Sequence, residues 1–329
     1  MLSTCIEKNT IISNKSVVIE PVMVSVIIPS YNHAKYIEEA IRSVWNQTYK
    51  NIELIVIDDG SKDQSVNILN KLQLESPIRM RVVAKKNEGI CKTLNFGLNL
   101  SSGKYISVLA SDDRYLNNKF ALLVPIIESS DCNVSFVYSK NTNINEDGSI
   151  SIVRQKELAV IKDQLFENIL LFKIFPTISS ALIKKNILIE VGSFNEKYKT
   201  EDYDLLLRLT RGHTALFCNQ PTFEYRGGVI GSLGKNVSMH YMDLVKSFND
   251  NIRYSKKSHA MFWVRYGYGR LYSRIAESFY MNYDVKSSRH WALKSILKNP
   301  LQWKAYRLYM PSLLGSKIIS YIRNRRLYD

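Results

Sequence analysis

The chain has 329 residues, 45% of them hydrophobic, which is enough to build one large core or two modest ones without covalent staples and argues against disorder. Its net charge of +15 is concentrated in residues 245–329, which hold seventeen Lys/Arg against Asp250, Glu277, Asp284 and Asp329. Four scattered cysteines, Cys5, Cys91, Cys132 and Cys218, exclude a zinc knuckle and a redox pair and fit a reducing compartment.

Residues 1–21 form a polar lead without the continuous apolar run of a secretory signal. The longest apolar stretches, such as 24–29 and 54–57, have strand length and are too short to span a bilayer. Residues 24–30 are predicted as a first strand. In 34–46 the apolar residues Ile37, Ala40, Ile41, Val44 and Trp45 make a helical stripe, and 52–57 returns to a strand, completing a β-α-β unit. The alternation continues with a helix over 64–74, a strand over 80–83, a helix over 92–100 and a strand over 105–109. Short, nearly all-apolar strands of this kind are buried on both faces of a mainly parallel sheet flanked by helices, and ligands of such sheets bind at the carboxyl edge. Beyond 136 the pattern loosens. Residues 141–148 read as turn, 164–172 as helix, 178–183 as a strand, and a further helix opens near Glu201. After about 238 the sequence is aromatic, basic and helix-compatible. The expected organisation is therefore a lead (1–21), an α/β domain (22–237) and a basic helical C-terminal region (238–329).

Three acidic clusters fall at the predicted active edge. Asp58-Asp59-Gly60-Ser61 follows the second strand. There Asp59 is placed either to accept hydrogen bonds from a nucleobase or to help cap the helix that begins near Asp63. Asp112-Asp113 follows the strand at 105–109. Adjacent carboxylates repel, so they suit a hard divalent ion that also binds diphosphate oxygens; capping and solvation are the plainer alternatives. Glu201-Asp202-Tyr203-Asp204 opens a helix, where acids are favoured by the dipole and where one of them is also placed to serve as a general base.

The order of these pieces resembles glycosyltransferase family 2, the inverting enzymes of GT-A fold, over roughly residues 22–235. The likeness rests on the stretch from Val24 through Pro29, Tyr31 and Asn32, on Ser43-Val-Trp-Asn-Gln47-Thr48, and on Glu53-Leu-Ile-Val-Ile-Asp58-Asp59-Gly60-Ser61. It continues through Asn87-Glu-Gly89, Thr93-Leu-Asn95-Phe-Gly97, Gly103-Lys-Tyr-Ile, Ser111-Asp112-Asp113 and Glu201-Asp202-Tyr-Asp204. The resemblance implies that Pro29 and Tyr31 border the nucleotide, that Asp59 reads the base, typically uracil, and that Asp112 lies by the ribose or sugar. It further implies that Asp113 binds Mg²⁺ or Mn²⁺ bridging the diphosphate and that Asp202 deprotonates the acceptor. Leu94 stands where many relatives have arginine, which leaves Lys92 either as a nearby source of charge for phosphate or as a side chain pointing to solvent. Tyr225-Arg226 is followed by Gly227, Gly228, Gly231 and Gly234 rather than by a histidine. That stretch reads as a mobile lid with Arg226 and Lys235 as phosphate contacts, or as a plain surface loop. His33, His213, His240, His259 and His290 lack metal-type spacing and read as structural or solvent-facing.

The resulting expectation is an inverting, metal-dependent transferase of a hexose or N-acetylhexosamine. The sugar would pass from a UDP-sugar to a saccharide hydroxyl, on a polyprenyl-diphosphate carrier, in O-antigen or capsule synthesis. The protein is expected in the cytoplasm, with its basic aromatic tail held peripherally on the anionic inner face of the membrane in preference to the plainer reading, in which the tail only packs on the catalytic domain. A different class, a nucleic-acid-binding protein using that tail, also fits the charge, but no reader motif is present and nucleic acid is not expected as a partner. A nicotinamide enzyme is set aside, because the first strand ends in Pro29-Ser-Tyr31-Asn32 without a glycine-rich turn.

Overall fold

The computed structural model describes residues 22–151, 164–227, 237–282 and 284–313. The polar lead, Lys235 and most of the glycine stretch, and the chain beyond 313 lie outside the described residues.

The first half alternates as its apolar runs require. It comprises β1 (Val24–Ser30), α1 (Ile37–Trp45), β2 (Ile52–Asp58), α2 (Ser65–Glu75), β3 (Arg79–Ala84), α3 (Ile90–Leu100) and β4 (Tyr105–Val108). A short β5 (Arg114–Tyr115), α4 (Lys119–Glu128) and β6 (Val134–Ile144) follow. Next come α5 (Leu165–Leu170), β7 (Leu182–Lys184), α6 (Lys185–Glu190), α7 (Asp202–Arg211) and β8 (Thr214–Arg226). The remainder is helical, with α8 (Val237–Ile252), α9 (Met261–Met281), α10 (Val285–Lys298) and α11 (Trp303–Ser312).

The chain divides into two compact units. Within the described residues, the first comprises 22–151, 177–193 and 212–226, and the second 164–176, 194–211, 227 and 237–313, without residue 283.

In the first unit the strands form one sheet in the order β3-β2-β1-β4-β7-β6-β8-β5. β3, β2, β1 and β4 are mutually parallel, whereas β7 runs antiparallel to both β4 and β6, and β5 antiparallel to β8. Every residue of β2 is buried, as a central strand covered on both faces demands. Burying each of its aliphatic side chains contributes about 1.5–3 kcal/mol. α1 covers one face through Ile37, Ala40, Ile41 and Val44, the i, i+3, i+4, i+7 stripe read from the sequence, while Glu38 stays outside.

Two expectations are corrected here. Residues 178–183 do not form one strand: Ile178–Ser180 is a 3-10 turn, and the strand begins only at Leu182. Residues 141–148 are not all turn either, because Asn141 to Ile144 pair in parallel with Phe223 to Arg226 as the end of β6. Lys140, Asn141, Thr142 and Asn143 are all half-buried, so the polar composition that suggested a turn belongs to a strand end partly open to water on both faces.

In the second unit, α7 is anchored from its first turn. The Tyr203 ring is buried and stacks on Phe172 with centroids 4.6 Å apart, and its hydroxyl donates to the Leu170 carbonyl at 3.0 Å. Asp243 of α8 accepts from the backbone N–H groups of Lys199 and Thr200 at 2.6 and 2.9 Å, fixing the approach to α7. At the other end Arg211 donates to Asn251 Oδ1 at 2.6 Å. Where α9 meets the chain leaving α10, a Cβ on Gly269 would lie 2.5 Å from the Asn299 Cβ, so this close approach requires glycine.

Candidate active site

Parallel pairing brings the carboxyl ends of β1, β2 and β4 to one edge of the first unit, in register as Ser30 beside Asp58 and Ile27 beside Val108. The residues singled out there are Pro29, Tyr31, Asp59, Asp112 and Asp113, with Lys92 on the opening turn of α3. Pro29 is half-buried in β1, and Tyr31 just beyond it is 44% exposed, a free aromatic face at the strand end.

The loops at this edge are tied together before any ligand arrives. Asp58 accepts from the Ser61 backbone N–H at 2.8 Å and from its hydroxyl at 2.5 Å. Ser61 Oγ in turn accepts from the Asn32 N–H at 2.8 Å, while Asn32 Oδ1 accepts from the Lys62 N–H at 2.8 Å. Asp63 accepts from the N–H groups of Ala34 and Ser65, so it is Asp63 that serves the start of α2. Gly60 makes the turn possible: its φ is +80°, and an added Cβ would meet the Asn87 nitrogen at 2.8 Å.

Asp59 is buried. Its Oδ1 accepts from Lys85 Nζ at 2.6 Å and from the Glu88 N–H at 2.9 Å, and its Oδ2 from the Gly89 N–H at 2.9 Å. Burial alone would raise its pKa, but the Lys85 ammonium and the two amides outweigh that and hold it below the usual carboxylate value. Asp59 is therefore an acceptor held in its ionised form near neutral pH, and it also shapes the 85–89 loop. Lys92 lies one helical turn beyond Glu88, with Nζ 3.5 Å from Glu88 Oε1 and its side chain about half exposed.

Asp113 is 3% exposed. Its Oδ1 accepts from the Arg226 backbone N–H at 2.9 Å and its Oδ2 from the Ser179 hydroxyl at 3.4 Å. Burial, and secondarily the adjacent Asp112, push its pKa well above the usual value. Asp112 is half-buried, and its carbonyl accepts from Arg226 Nε at 2.8 Å. Among the described residues no group of three or more His, Cys, Asp or Glu gathers as a metal site. The donor set nevertheless fits a hard divalent ion, which binds through one or two carboxylates and takes its remaining oxygens from water and phosphate. Asp113 Oδ2, held only by a long contact, retains lone pairs for such an ion, and a cation offsets the repulsion between the two aspartates.

The expectation that Arg226 contacts phosphate is corrected. Its side chain is buried and spent on Asp112 O, on the carbonyls of Asn145 and Glu146 at 3.3 and 3.0 Å, and on Glu39 Oε2 at 2.5 Å. Glu39 also pairs with Arg114, which reaches Glu224. Beneath this network Lys119 is fully buried and donates to the Ser179 carbonyl at 2.9 Å. Before the aspartates, Ser111 Oγ lies 2.6 Å from His33 Nδ1. Glu39, Arg114, Lys119, Ser179 and His33 as a partner of Ser111 were not singled out from the sequence. Most of these contacts join positions 60 or more apart, and nothing local in the sequence marks them.

Asp202 belongs to the second unit, where it is the first residue of α7 and its Oδ1 accepts from the Tyr203 N–H at 2.7 Å. It is half-buried, a carboxylate at the positive end of a helix dipole. Burial and the Asp202 charge push the pKa of neighbouring Glu201 upward. Asp204 is instead committed to Arg208, one turn along, at 2.7 Å.

Comparison with known proteins identifies the family and the fold. An uncharacterized glycosyltransferase of Rickettsia conorii is 36% identical over 191 residues, 57% of this chain and 31% of that protein. The Pasteurella multocida hyaluronan synthase is 30% identical over 234 residues, 69% of this chain and 23% of the synthase. The chain thus spans about a third or less of the first curated relatives that it matches. Residues 1–349 of S. aureus TarS, solved in complex with UDP-GlcNAc, superpose with a TM-score of 0.63 at 16% identity, covering 92% of each chain, and so share the GT-A-like fold. The sequence model of glycosyl transferase family 2 matches residues 25–192, which run from β1 through the aspartate pair to the end of α6, and the chain belongs to that family.

Proposed function

We propose that this protein is an inverting glycosyltransferase that moves a hexose or N-acetylhexosamine from a UDP-sugar to a hydroxyl of a lipid-linked saccharide. The observation that carries the reading is the placement of Asp59, Asp112 and Asp113 at the carboxyl edge of one parallel sheet, each locked by neighbours before a ligand binds. Catalysis of glycosyl transfer needs a preorganised site of this kind, because charge develops on the leaving diphosphate and must be met without reorganisation.

In this reading Tyr31 and Pro29 border the nucleotide, and Asp59 offers the base an acceptor on Oδ2. Asp112 addresses the ribose or sugar, and Lys92 supplies positive charge near the phosphates. Asp113 and Asp112 would hold Mg²⁺ or Mn²⁺, which supplies charge neutralisation at the diphosphate. Asp202 accepts the proton of the acceptor hydroxyl as that oxygen attacks the anomeric carbon and the nucleoside diphosphate departs from the opposite face. A UDP-sugar donor is supported by the TarS complex, and a saccharide acceptor by the hyaluronan synthase relative; we assign the product to surface polysaccharide, O-antigen or capsule. A carrier lipid would bring the enzyme to the inner face of the cytoplasmic membrane as a peripheral protein. No helix among the described residues is long and apolar enough to cross a membrane.

The test is calorimetric titration of the purified protein with UDP, GDP and a panel of UDP-sugars, first with Mn²⁺ and then with EDTA. Metal-dependent binding of UDP and one of its sugars is the expected outcome. Binding of GDP in preference to UDP, or of no nucleotide by folded protein, would overturn the donor assignment.

A further inference from the structure

We propose that the outward faces of α10 and α11 form a docking surface for an anionic lipid bilayer. Inwardly both helices present small residues. Ser288, Ala292 and Ser295 of α10 are buried, with Ser288 Oγ donating to the Ala276 carbonyl of α9 at 2.8 Å and Ser295 Oγ to the Gly269 carbonyl at 2.6 Å. In α11 the buried small residues are Ala305 and Ser312, the Ser312 hydroxyl bonding the Tyr309 carbonyl of its own helix. These buried residues fix how each helix is rotated, and hence what its other side shows.

That other side is apolar at its centre. Leu297 is 65% exposed, Leu301 79%, Trp303 58% and Met310 57%, large apolar side chains left to solvent along one short stretch of chain. Leu293 and Leu297 lie one turn apart on α10, Trp303 and Met310 two turns apart on α11, and Leu301 sits in the connection. The flanks are wholly cationic. Between residues 285 and 313 there are Lys286, Arg289, Lys294, Lys298, Lys304 and Arg307, and no aspartate or glutamate. The Arg307 guanidinium rests 5.2 Å from the Trp303 ring centre, keeping a cation beside the exposed aromatic.

A bilayer of acidic lipids matches both halves of this pattern, with acyl chains for the leucines and tryptophan and headgroup phosphates for the cations. A second copy of the same face would bring like charges together, and nucleic acid offers no apolar phase for Leu297 and Leu301. The biological purpose of the contact rests on the reading of a lipid-linked acceptor; the contact itself does not.

The experiment is co-sedimentation of the full chain with phosphatidylcholine vesicles, with and without phosphatidylglycerol, across a range of salt. Wild type is expected to sediment with the phosphatidylglycerol vesicles alone and to be released by salt. Leu297→Glu combined with Leu301→Glu, and separately Lys304→Glu combined with Arg307→Glu, should each weaken binding by more than about tenfold while leaving circular dichroism unchanged. Wild-type binding in both double variants, equal binding to neutral vesicles, or preferential retention on DNA would overturn the proposal. UDP titration of the same proteins separates the two readings. Vesicle binding without nucleotide binding counts against the donor site and not against this face, and the reverse result counts against the face alone.

Discussion

Arg226 donates its backbone N–H to Asp113 Oδ1 at 2.9 Å and its Nε to the Asp112 carbonyl at 2.8 Å, so one residue at the end of β8 holds both aspartates of the pair. Its remaining nitrogens bond Glu39 and two loop carbonyls. Arg226→Met keeps the backbone contact but removes one of the two arginines that pair with Glu39 and the side-chain donor to the carbonyls of Asp112, Asn145 and Glu146, and is expected to lower stability by about 1–3 kcal/mol. Urea denaturation measures that loss. Calorimetry should show weaker metal-dependent nucleotide binding as the Asp112 backbone loosens.

Asp113→Asn and Asp202→Asn should separate binding from chemistry. The first removes charge from the proposed metal ligand and should weaken UDP binding in Mn²⁺ while leaving metal-free binding little changed. The second should leave donor binding intact and lower turnover by about 10²–10⁴, the usual worth of a positioned general base. Equal activity of either variant and wild type would remove its assigned role.

Lys119 gives the protein a distinctive pH dependence. Burial pushes its ammonium down to about 7, against 10.5 for an ordinary lysine. Between those values the unfolded chain binds the proton that the folded chain has lost, so stability rises as pH rises. The slope approaches about 1.4 kcal/mol per pH unit at most. Below pH 7 both states carry the charge and the contribution flattens. Denaturation midpoints measured from pH 6 to 9 should show this rise, and Lys119→Met should abolish it while making the protein relatively more stable at pH 6.

Asp59 acts in the opposite arm. Its pKa is held below the unfolded value by Lys85 and the two amides, in spite of burial. The stability it contributes is complete above about pH 4, the ordinary aspartate range, and is lost as pH falls through the depressed native value. Asp59→Asn should therefore cost about 1–3 kcal/mol at neutral pH, reduce acid sensitivity, and weaken UDP binding through the displaced 85–89 loop. Acid titration of the two proteins, followed by fluorescence, checks the first two effects.

The legible parts of this fold were those with one dominant force. β1 and β2 are nearly all apolar because both of their faces are covered, and the stripe of α1 follows from having only one covered face. β8 was invisible because Asn219 and Gln220 are exposed and Pro221 falls at a register shift, so neither alternation nor a continuous run survives. The antiparallel β7 is three residues long, too brief for any periodicity. Asp59, Asp112 and Asp113 stood out because carboxylates directly after buried strands are conspicuous. Their supports did not, since Lys119 looked like any helix-surface lysine and Glu39 like one half of an ordinary acidic first turn. Only the tertiary fold turns those side chains inward.

The second unit takes 194–211 from between α6 and β8 and completes it with residues that arrive some forty positions later. Shortening the chain before Asp243 or Asn251 would strip Thr200 and Arg211 of their partners, and with them the ends of the helix that begins at Asp202. α8 is thus no detachable appendage. A truncation that removes it is expected to disturb α7 and so imitate the loss of a membrane contact, whereas substitutions confined to the outer faces of α10 and α11 are not.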